Sequence, residues 1–297
     1  MTLSVNKMLV LINPRSGIGS PVTALLQTLE QIWLDHCPCI SYQFSHNAGD
    51  GRAKARRAVD DGADVILVVG GDGMVNSIGA ELIGTPAALG VIPTGSGNGF
   101  ARHFNIPLDP VRAAHTLADG RIRAIDVGTA NGRPFFVTCG MAWDAALVRT
   151  FEKMPVRGVF PYVFSAAYEY LTYEPQPFAY TLDGGKTQRC NDPIVFTTAN
   201  LTQYGGGAQI APQACEDDGL LELIVIHRKD MPALLMNIPR LFDGSIDRLP
   251  KVVTQRFKQL KVHRTRAAPL QLDGELVEAG PDIEVQVKPC SLNILTP

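Results

Sequence analysis

Aliphatic runs alternate with polar segments of helical length over the first hundred residues. The run from Val65 to Val69 is apolar on both faces, which is typical of a central parallel strand covered by helices. Ser20 as N-cap and Pro21 at the first helical position predict the start of the first helix. The predicted strands are residues 8–13, 40–45, 64–69 and 88–92, and the predicted helices are residues 21–35, 50–61, 74–83 and 109–119. This alternation predicts an α/β domain whose parallel sheet lies between helices, in three layers.

Three of these strands end in glycine-rich turns, at residues 13–20, 70–73 and 93–99. Right-handed crossovers place the three turns along one edge of the sheet. Because glycines lack Cβ, the backbone can take positive φ and a phosphate can approach the amides of the next helix. Asp72 is the only acid of the second turn, and it suits a phosphate site mainly if Mg²⁺ or a reacting hydroxyl lies between them. A single such turn is equally compatible with an ordinary strand-to-helix connection.

The common nucleotide-binding fingerprints are missing from the chain. Phe100 stands where a dinucleotide fold needs its third glycine. Tyr180 stands where a P-loop ending in Gly185-Lys186-Thr187 needs its first glycine. Asp183-Gly184-Gly185 instead predicts a hairpin turn. The sequence therefore argues against both a Rossmann dinucleotide site and a P-loop.

The pattern changes after residue 119, where strand-like runs become frequent. Asn131-Gly132, between two such runs, is the strongest short hairpin signal. The predicted strands are residues 122–130, 134–139, 178–182, 194–200, 220–227, 260–264 and 283–287, and the predicted helices are residues 161–173 and 230–242. We place the boundary near Arg123, which gives an α/β domain at residues 1–123 and a mainly antiparallel β domain at residues 124–297. The sequence leaves open whether the last strand returns to the first domain.

Composition and charge narrow the class of protein. The 297 residues are 45% hydrophobic and carry a formal net charge of −2, which argues against a nucleic-acid binder that relies on a basic surface. The six cysteines form no CxxC pair, so we expect reduced thiols and no structural zinc. Because no apolar run is long enough to span a bilayer and no signal peptide is evident, we expect a cytoplasmic protein.

Seven short blocks follow one another over nearly the whole chain. They are Asn13-Pro14-x-Ser16-Gly17-x-Gly19, Gly70-Gly71-Asp72-Gly73, Pro93-x-Gly95-Ser96-Gly97-Asn98-x-x-Ala101-Arg102, Ile125-Asp126-Val127-Gly128, Asn200-x-x-x-Tyr204-Gly205-Gly206-Gly207, Asp218-Gly219-Leu220-Leu221 and Asp273-Gly274-Glu275. In this order they resemble the superfamily of diacylglycerol kinases and sphingosine kinases, in particular its bacterial single-chain members. The resemblance implies an α/β nucleotide domain, a β-sandwich-like second domain, and ATP bound in the cleft between them.

Carried over by position, the resemblance implies an ATP site built largely from the three turns. Ser45 joins this set because it precedes a Gly-Asp pair, where relatives carry a threonine; an ST-turn at a strand end is the alternative. The implied ATP-binding residues are Asn13, Pro14, Arg15, Ser16, Gly17, Ser45, Gly70, Gly71, Asp72, Gly73, Met74, Val75, Asn76, Gly95, Ser96 and Asn98.

The same resemblance implies that Glu275 is the catalytic base, with Asp273 beside it. Transfer of a γ-phosphoryl group to an alcohol needs an acceptor for the hydroxyl proton and a metal that neutralises charge. Asp72 is expected to help hold the Mg²⁺ of the nucleotide, although a role as base stays open. From the local sequence alone, an exposed β-turn between Gln271-Leu272 and Leu276-Val277 is the favoured alternative.

Two further positions match ligand sites of the family. Asp144 corresponds to an acid that contacts the lipid head group; a helix N-cap is the alternative. The carbonyls of Cys215 and Leu220 and the carboxylate of Asp218 correspond to ligands of a second, structural Mg²⁺. A plain acidic turn that opens the next strand is the alternative there.

Two residues depart from the family pattern. Met74 replaces a usual threonine, which puts the affinity for ATP in question, and Gly99 replaces an acid common in bacterial diacylglycerol kinases, which leaves the lipid open. The basic stretch at residues 248–266 is a candidate membrane contact, and an ordinary solvated face is the alternative. A helical stripe of large apolar side chains is a candidate lining for an acyl cleft, and ordinary core is the alternative. The stripe consists of Phe160, Phe164, Tyr168 and Leu171.

The sequence therefore favours a lipid kinase that uses ATP and Mg²⁺. It is expected to bind a lipid substrate, to contact the membrane surface transiently and to bind no nucleic acid, while formation of a homodimer stays open. One alternative is a kinase of a soluble acceptor such as NAD, because NAD kinases share the Gly-Gly-Asp-Gly turn. The other is a non-catalytic nucleotide or lipid sensor, for which Met74 is the supporting feature.

Overall fold

The computed structural model describes residues 5–14, 22–33, 36–146 and 172–297. The chain divides into two compact units. The first unit comprises Met1–Val127, Gly205–Gly207 and Pro289–Pro297, and the second comprises Gly128–Tyr204 and Ala208–Lys288. The division after Val127 falls close to the boundary expected near Arg123, and the last residues of the chain belong to the first unit.

The first unit contains a parallel sheet whose central strands are fully buried. Its strands are β1 (Lys7–Ile12), β2 (Cys39–Phe44), β3 (Val65–Gly70) and β4 (Ala88–Pro93), in the order β2-β1-β3-β4. Every residue of β3 and β4 is buried, as the apolar runs predicted. Asn293 and Ile294, near the end of the chain, continue this sheet by pairing with β4 in the parallel direction.

Five helices accompany these strands in the described part of the first unit. Asn47 and Asp109 are the N-caps of the second and fifth helices. Each side chain accepts a hydrogen bond from the backbone N–H three residues later. The predicted cap at Ser20 and Pro21 lies outside the described residues. The helices are α1 (Val22–Trp33), α2 (Ala48–Asp60), α3 (Asp72–Leu82), α4 (Gly99–His103) and α5 (Pro110–Ala118). The α/β class predicted for this half of the chain is confirmed.

The second unit contains two mainly antiparallel sheets packed face to face. One has the order β14-β13-β10-β7-β16-β17; the other includes β15, β8 and β9, the beginning of β18, and β5 with β6. The beginning of β5 and the end of β18 belong to the first unit, and β11 and β12 form a separate two-stranded sheet. The strands that follow β4 in the chain are β5 (Arg121–Ala130), β6 (Arg133–Phe135), β7 (Thr138–Gly140), β8 (Phe178–Leu182), β9 (Gln188–Cys190), β10 (Pro193–Ala199), β11 (Gln203–Gly205), β12 (Ala208–Gln209), β13 (Leu221–His227), β14 (Val253–Phe257), β15 (Gln259–Arg264), β16 (Leu270–Leu272), β17 (Glu275–Val277) and β18 (Asp282–Thr296). Phe196 of the first sheet packs against Phe178 of the second within one apolar core. The predicted β-sandwich is confirmed.

Two-residue turns set the register of several hairpins. Asn131-Gly132, Asp183-Gly184 and Asp273-Gly274 all have positive φ at both residues, as in the turns that match the twist of antiparallel strands. The first two were predicted as hairpins. The third was an open alternative at the sequence level, and it joins β16 to β17.

The helix predicted over residues 230–242 is wrong as a single element. It forms two short helices, α6 (Met231–Met236) and α7 (Pro239–Phe242). Pro239 has no backbone N–H, so it cannot continue the hydrogen bonding of the preceding turn. The helix predicted at residues 161–173 and the aromatic stripe within it lie almost entirely outside the described residues.

Two other expectations concern the cysteines and the membrane. All six cysteines lie among the described residues and none forms a disulfide there, and their reduced state stays a prediction. Among the described residues, no helix is both long and apolar enough to cross a bilayer.

Candidate active site

The carboxyl ends of β1, β2, β3 and β4 lie side by side in the first unit. The Ser45 N–H donates to the Ile12 carbonyl at 2.7 Å, just past the end of β2. The Asn13 N–H donates to the Val69 carbonyl at 3.0 Å, and the Thr94 N–H donates to the Gly70 carbonyl at 3.0 Å. The prediction that these turns share one edge of the sheet is therefore confirmed for the residues that the structure describes.

Glycines at this edge allow two turns to pack backbone against backbone. A Cβ added at Gly95 would lie 2.7 Å from the Cα of Gly71, and one added at Gly97 would lie 2.9 Å from Oδ2 of Asp72. The positive φ expected for the glycines of the second turn is wrong, since neither Gly70 nor Gly71 has it. Close approach, rather than an unusual backbone conformation, is the reason why side chains are excluded here.

Helix α3 begins at Asp72, two residues earlier than the sequence predicted. Its N-cap, Gly71, has no side chain that could cap the helix. The carboxylate of Asp72 instead accepts hydrogen bonds from the backbone N–H groups of Gly99 and Phe100, at 3.2 and 3.3 Å. Asp72 therefore ties the second turn to the start of α4, and lone pairs remain on both of its oxygens.

Asn98 and Arg102 hold the third turn in shape. Asn98 has a φ of 51°, a conformation that asparagine tolerates better than most residues. Its side chain accepts a hydrogen bond from the Gly95 N–H at 3.0 Å and donates one to the Gly95 carbonyl at 2.8 Å. Nε of Arg102 donates to the Gly97 carbonyl at 3.0 Å. Arg102 was quoted in the motif but not predicted as a ligand, although a basic residue just after a phosphate turn is a usable signal.

The remaining predicted ATP residues have different environments. The Ser45 side chain is buried, and its hydroxyl donates to the Asn47 carbonyl at 3.0 Å, as in the ST-turn alternative. The Met74 side chain lies against Gly70, since a Cβ added at Gly70 would be 2.8 Å from the Met74 sulfur. Val75 is buried in the core, so only its backbone could meet a ligand. Gly73 and Asn76 lie in α3, and Asn13 and Pro14 directly follow β1. The Ser96 side chain is exposed. The remaining predicted ligands, Arg15, Ser16 and Gly17, lie outside the described residues.

The start of α3 has the properties of a phosphate site. No side chain caps this 11-residue helix at Gly71, so its first N–H groups and its dipole favour an anion. The backbone of the Gly95 turn packs against Gly71 without intervening side chains. Among the described residues, no group of three or more His, Cys, Asp or Glu side chains forms a metal cage. A single carboxylate such as Asp72 nevertheless suits Mg²⁺, which proteins usually bind together with phosphate oxygens and water.

The β16–β17 hairpin of the second unit carries Asp273 and Glu275. The Asp273 carboxylate accepts hydrogen bonds from the N–H groups of Phe136, Val137 and Thr138, at 2.7, 2.7 and 2.9 Å. This segment interrupts the strand predicted over residues 134–139, which divides into β6 and β7. The Glu275 side chain is exposed at the start of β17. The two acids are therefore in different environments, although only one residue separates them.

Gln271 holds the same hairpin from inside the unit, a role that no sequence pattern indicated. Its buried side chain accepts a hydrogen bond from the Gly274 N–H at 2.7 Å and donates one to Thr138 Oγ1 at 3.0 Å. A buried glutamine in an otherwise apolar strand usually has such partners. Together with Asp273, Gln271 ties the turn to the beginning of β7.

Asp144 is a buried acid, only 4% exposed. Its carboxylate accepts hydrogen bonds from the Ala142 N–H at 3.0 Å and from Thr197 Oγ1 at 2.7 Å. Burial raises the pKa of Asp144, and the hydrogen bond from Thr197 partly opposes that shift. Asp144 lies inside the helical turn at residues 143–146 rather than before it, so the N-cap alternative does not describe its position. Thr197, within a run of buried residues, is a partner that the sequence analysis missed.

The predicted structural Mg²⁺ site has contacts of a different kind. The Asp218 carboxylate accepts the Leu220 N–H at 3.0 Å and forms an ion pair with Arg256. The Cys215 thiol lies 3.3 Å from Oδ1 of Asp217. Asp218 thus has a cationic partner within the chain, and the role of Cys215, Asp218 and Leu220 as metal ligands stays a prediction.

The chain matches two family models along most of its length. Residues 7–130 match the diacylglycerol kinase catalytic domain, and residues 137–296 match the YegS C-terminal NAD kinase beta sandwich-like domain. A diacylglycerol kinase of Mycobacterium tuberculosis is 30% identical, over 99% of this chain and 96% of the relative. A diacylglycerol kinase of Bacillus subtilis is 25% identical, over 90% of this chain and 88% of the relative. The crystal structure of a diacylglycerol kinase from Bacillus anthracis str. Sterne superposes with a TM-score of 0.77 at 19% identity, over 99% of this chain and 97% of that chain.

Proposed function

The chain belongs to the diacylglycerol kinase family of lipid kinases, and on this premise we propose that it transfers the γ-phosphoryl group of ATP to a hydroxyl group of a lipid. The observation that carries the proposal is the pair of packed turns at Gly71 and Gly95, beside the start of α3 that no side chain caps. A site of this kind binds phosphates through backbone N–H groups. Phosphoryl transfer depends chiefly on such positioning and on electrostatic stabilisation.

In this proposal the first unit holds the nucleotide. The N–H groups at the start of α3 bind phosphate oxygens, and Arg102, held against the third turn through the Gly97 carbonyl, adds positive charge. Asp72 holds Mg²⁺ with the lone pairs that its two backbone hydrogen bonds leave available. When bound, Mg²⁺ supplies charge neutralisation on the phosphates.

The second unit supplies the groups that act on the acceptor. Exposed Glu275 accepts the proton of the lipid hydroxyl. Asp273 is a positioning residue, because its three backbone hydrogen bonds fix the turn that presents Glu275. Asp144, oriented by Thr197, accepts a hydrogen bond from a polar group of the lipid head. The acceptor is thereby oriented before its proton is removed.

Transfer of label from γ-labelled ATP tests the proposal. Diacylglycerol, a sphingoid base, ceramide and phosphatidylglycerol are offered separately in mixed micelles, with NAD and a sugar phosphate as soluble acceptors. We expect labelled phosphate in the lipid extract for at least one lipid. Label in NAD or the sugar phosphate, with every lipid inert, would show the soluble-acceptor kinase instead. Tight ATP binding without any turnover would support the sensor.

The acceptor lipid can be narrowed without a chosen panel. Mass spectrometry of the lipids that remain bound through purification identifies the head group and chain length that the protein retains. We expect a lipid with a free hydroxyl, because the family acts on alcohol acceptors. Recovery of that lipid as its phosphate after incubation with Mg-ATP would show that the lipid bound by the protein is also its substrate.

A further inference from the structure

Four large apolar side chains are exposed within eight consecutive residues of the second unit. Met236 is 84% exposed, Phe242 58%, Leu235 50% and Ile238 43%. Leu235 and Met236 lie on α6, Phe242 lies on α7, and Ile238 lies in the two-residue connection between them. Turns join the two helices, since the Asn237 N–H donates to the Leu234 carbonyl and the Arg240 N–H donates to the Asn237 carbonyl. Helical backbone of this length spans roughly 10 Å, so the four side chains form one patch. We name Leu235, Met236, Ile238 and Phe242 the α6–α7 face.

The same two helices carry a second set of apolar residues that explains their attachment to the unit. Met231 is buried, and Leu234 and Leu241 pack against the same apolar core. These positions are spaced by three and seven residues, as on one face of a helix. The stripe of Leu235, Ile238 and Phe242, spaced by three and four residues, is exposed. Packing of α6 and α7 on their own unit therefore accounts for one stripe and leaves the other in solvent.

Charge within the α6–α7 segment itself is basic. Residues 231–242 contain no acid, and their single charged residue is Arg240. Lys229 and Arg248 are exposed on either side. Three acids lie nearby along the chain: Asp230 is buried 3.5 Å from Lys251 Nζ, Asp243 is exposed and accepts hydrogen bonds from Ser245, and Asp247 is half-buried.

The basic stretch that follows extends this charge along the chain. Residues 248–266 contain seven lysines and arginines and no acid. Arg264 is completely buried, and Arg256 pairs with Asp218, so these two contribute little to the surface charge. Lys251 and Lys258 are exposed. Since the whole chain has a net charge of −2, attraction to an anionic surface would have to come from a local region such as this.

We propose that the α6–α7 face docks on a bilayer that contains anionic lipids, with its four apolar side chains inserted among the head groups and its basic neighbours bound to their phosphates. An apolar patch that contains no acid, followed along the chain by a basic stretch that also contains none, fits such a surface. A second copy of this chain fits it less well, because a two-fold axis through the face would oppose identical basic residues. The inference goes beyond the proposed function and does not require phosphoryl transfer.

Sedimentation with vesicles tests the proposal without ATP or a lipid acceptor. The full chain is mixed with vesicles of phosphatidylglycerol and phosphatidylcholine in equal parts, and separately with phosphatidylcholine alone. The test variant is Met236→Ser with Phe242→Ser. The matched control is Leu108→Ser with Val111→Ser, which removes two side chains that are 40% and 39% exposed in the first unit. Thermal denaturation of each variant shows that its fold is retained.

We expect the wild type and the control to bind the anionic vesicles, and the test variant to partition about tenfold less. Binding to phosphatidylcholine alone should be weak, and added salt should reduce the binding to anionic vesicles. A Phe242→Trp variant should be quenched by brominated anionic lipid. Equal binding of wild type and test variant would overturn the proposal, as would equal binding to both vesicle types. A test variant that changes the oligomeric state but not vesicle binding would assign the face to a second copy instead.

Discussion

At the scale of single residues, the two acids of the β16–β17 hairpin have different environments and therefore different proposed roles. Three backbone N–H groups converge on the carboxylate of Asp273, whereas the side chain of Glu275 is exposed. The Asp-Gly-Glu motif indicated both acids and the family resemblance assigned the base to Glu275, but neither predicted what Asp273 contacts. The distinction depends on Phe136, Val137 and Thr138, which are distant in sequence and become partners only in the folded unit.

Removal of the Asp273 carboxylate should therefore lower the free energy of unfolding, because Asp273 positions the hairpin and is not itself the proposed base. We expect Asp273→Ala to lose about 3 kcal/mol of unfolding free energy, because hydrogen bonds to a charged group are lost and the φ of 50° suits alanine poorly. Asp273→Asn should lose less, since its amide oxygen still accepts and asparagine tolerates this φ. Urea denaturation measures both. Equal stability of all three proteins would contradict the positioning role.

The buried Asp144 predicts a pH dependence with a definite sign. Burial raises its pKa in the folded state, so between the ordinary and the raised pKa the native protein binds more protons than the unfolded chain. The free energy of unfolding contributed by this group then falls as the pH rises through that window. We expect Asp144→Asn to gain stability relative to the wild type across the window and to show a constant difference below it. Urea midpoints measured at several pH values check this; parallel curves would contradict it.

At the scale of elements, the strands were easier to predict than the turns that join them to helices. The run Val65–Val69 specified a buried parallel strand because it is apolar on both faces. The glycines after this strand were predicted to allow positive φ angles. In the structure Gly71 and Gly95 instead allow the backbones of two turns to come into contact. That contact joins segments more than twenty residues apart, so no local pattern reports it. The break at Pro239 was missed for a different reason, since apolar periodicity continued through a residue that cannot continue a helix.

A single methyl group at Gly95 should separate the two turns. Its Cβ would lie 2.7 Å from the Gly71 Cα, so we expect Gly95→Ala to destabilise the first unit by about 1–3 kcal/mol and to weaken ATP binding at least about tenfold. Gly280→Ala is the matched control, because nothing lies within 4 Å of an added Cβ there. Calorimetry of ATP binding and thermal denaturation measure the two effects. Unchanged ATP affinity in Gly95→Ala would remove these turns from the nucleotide site.

At the scale of the whole molecule, the order of short motifs identified the family where no single motif could. Each block is compatible with an ordinary turn, but the two family models match at residues 7–130 and 137–296. The partners that hold the site together, such as Gln271 under Gly274 and Thr197 beside Asp144, were not predictable because they lie in buried strands whose sequences predict only core. The sequence thus indicated the acids of the candidate site, and the fold supplied the groups that orient them.

The rate of phosphoryl transfer to lipid by Glu275→Gln, measured beside the wild type, tests the central claim most directly. The proposed base is lost in this exposed position, so we expect transfer to fall roughly 10²–10⁴-fold while ATP affinity and thermal stability stay unchanged. Glu278→Gln, which changes another exposed glutamate of the second unit, should transfer at the wild-type rate. A Glu275→Gln variant as fast as the wild type, or a wild type that phosphorylates no lipid hydroxyl, would contradict the account.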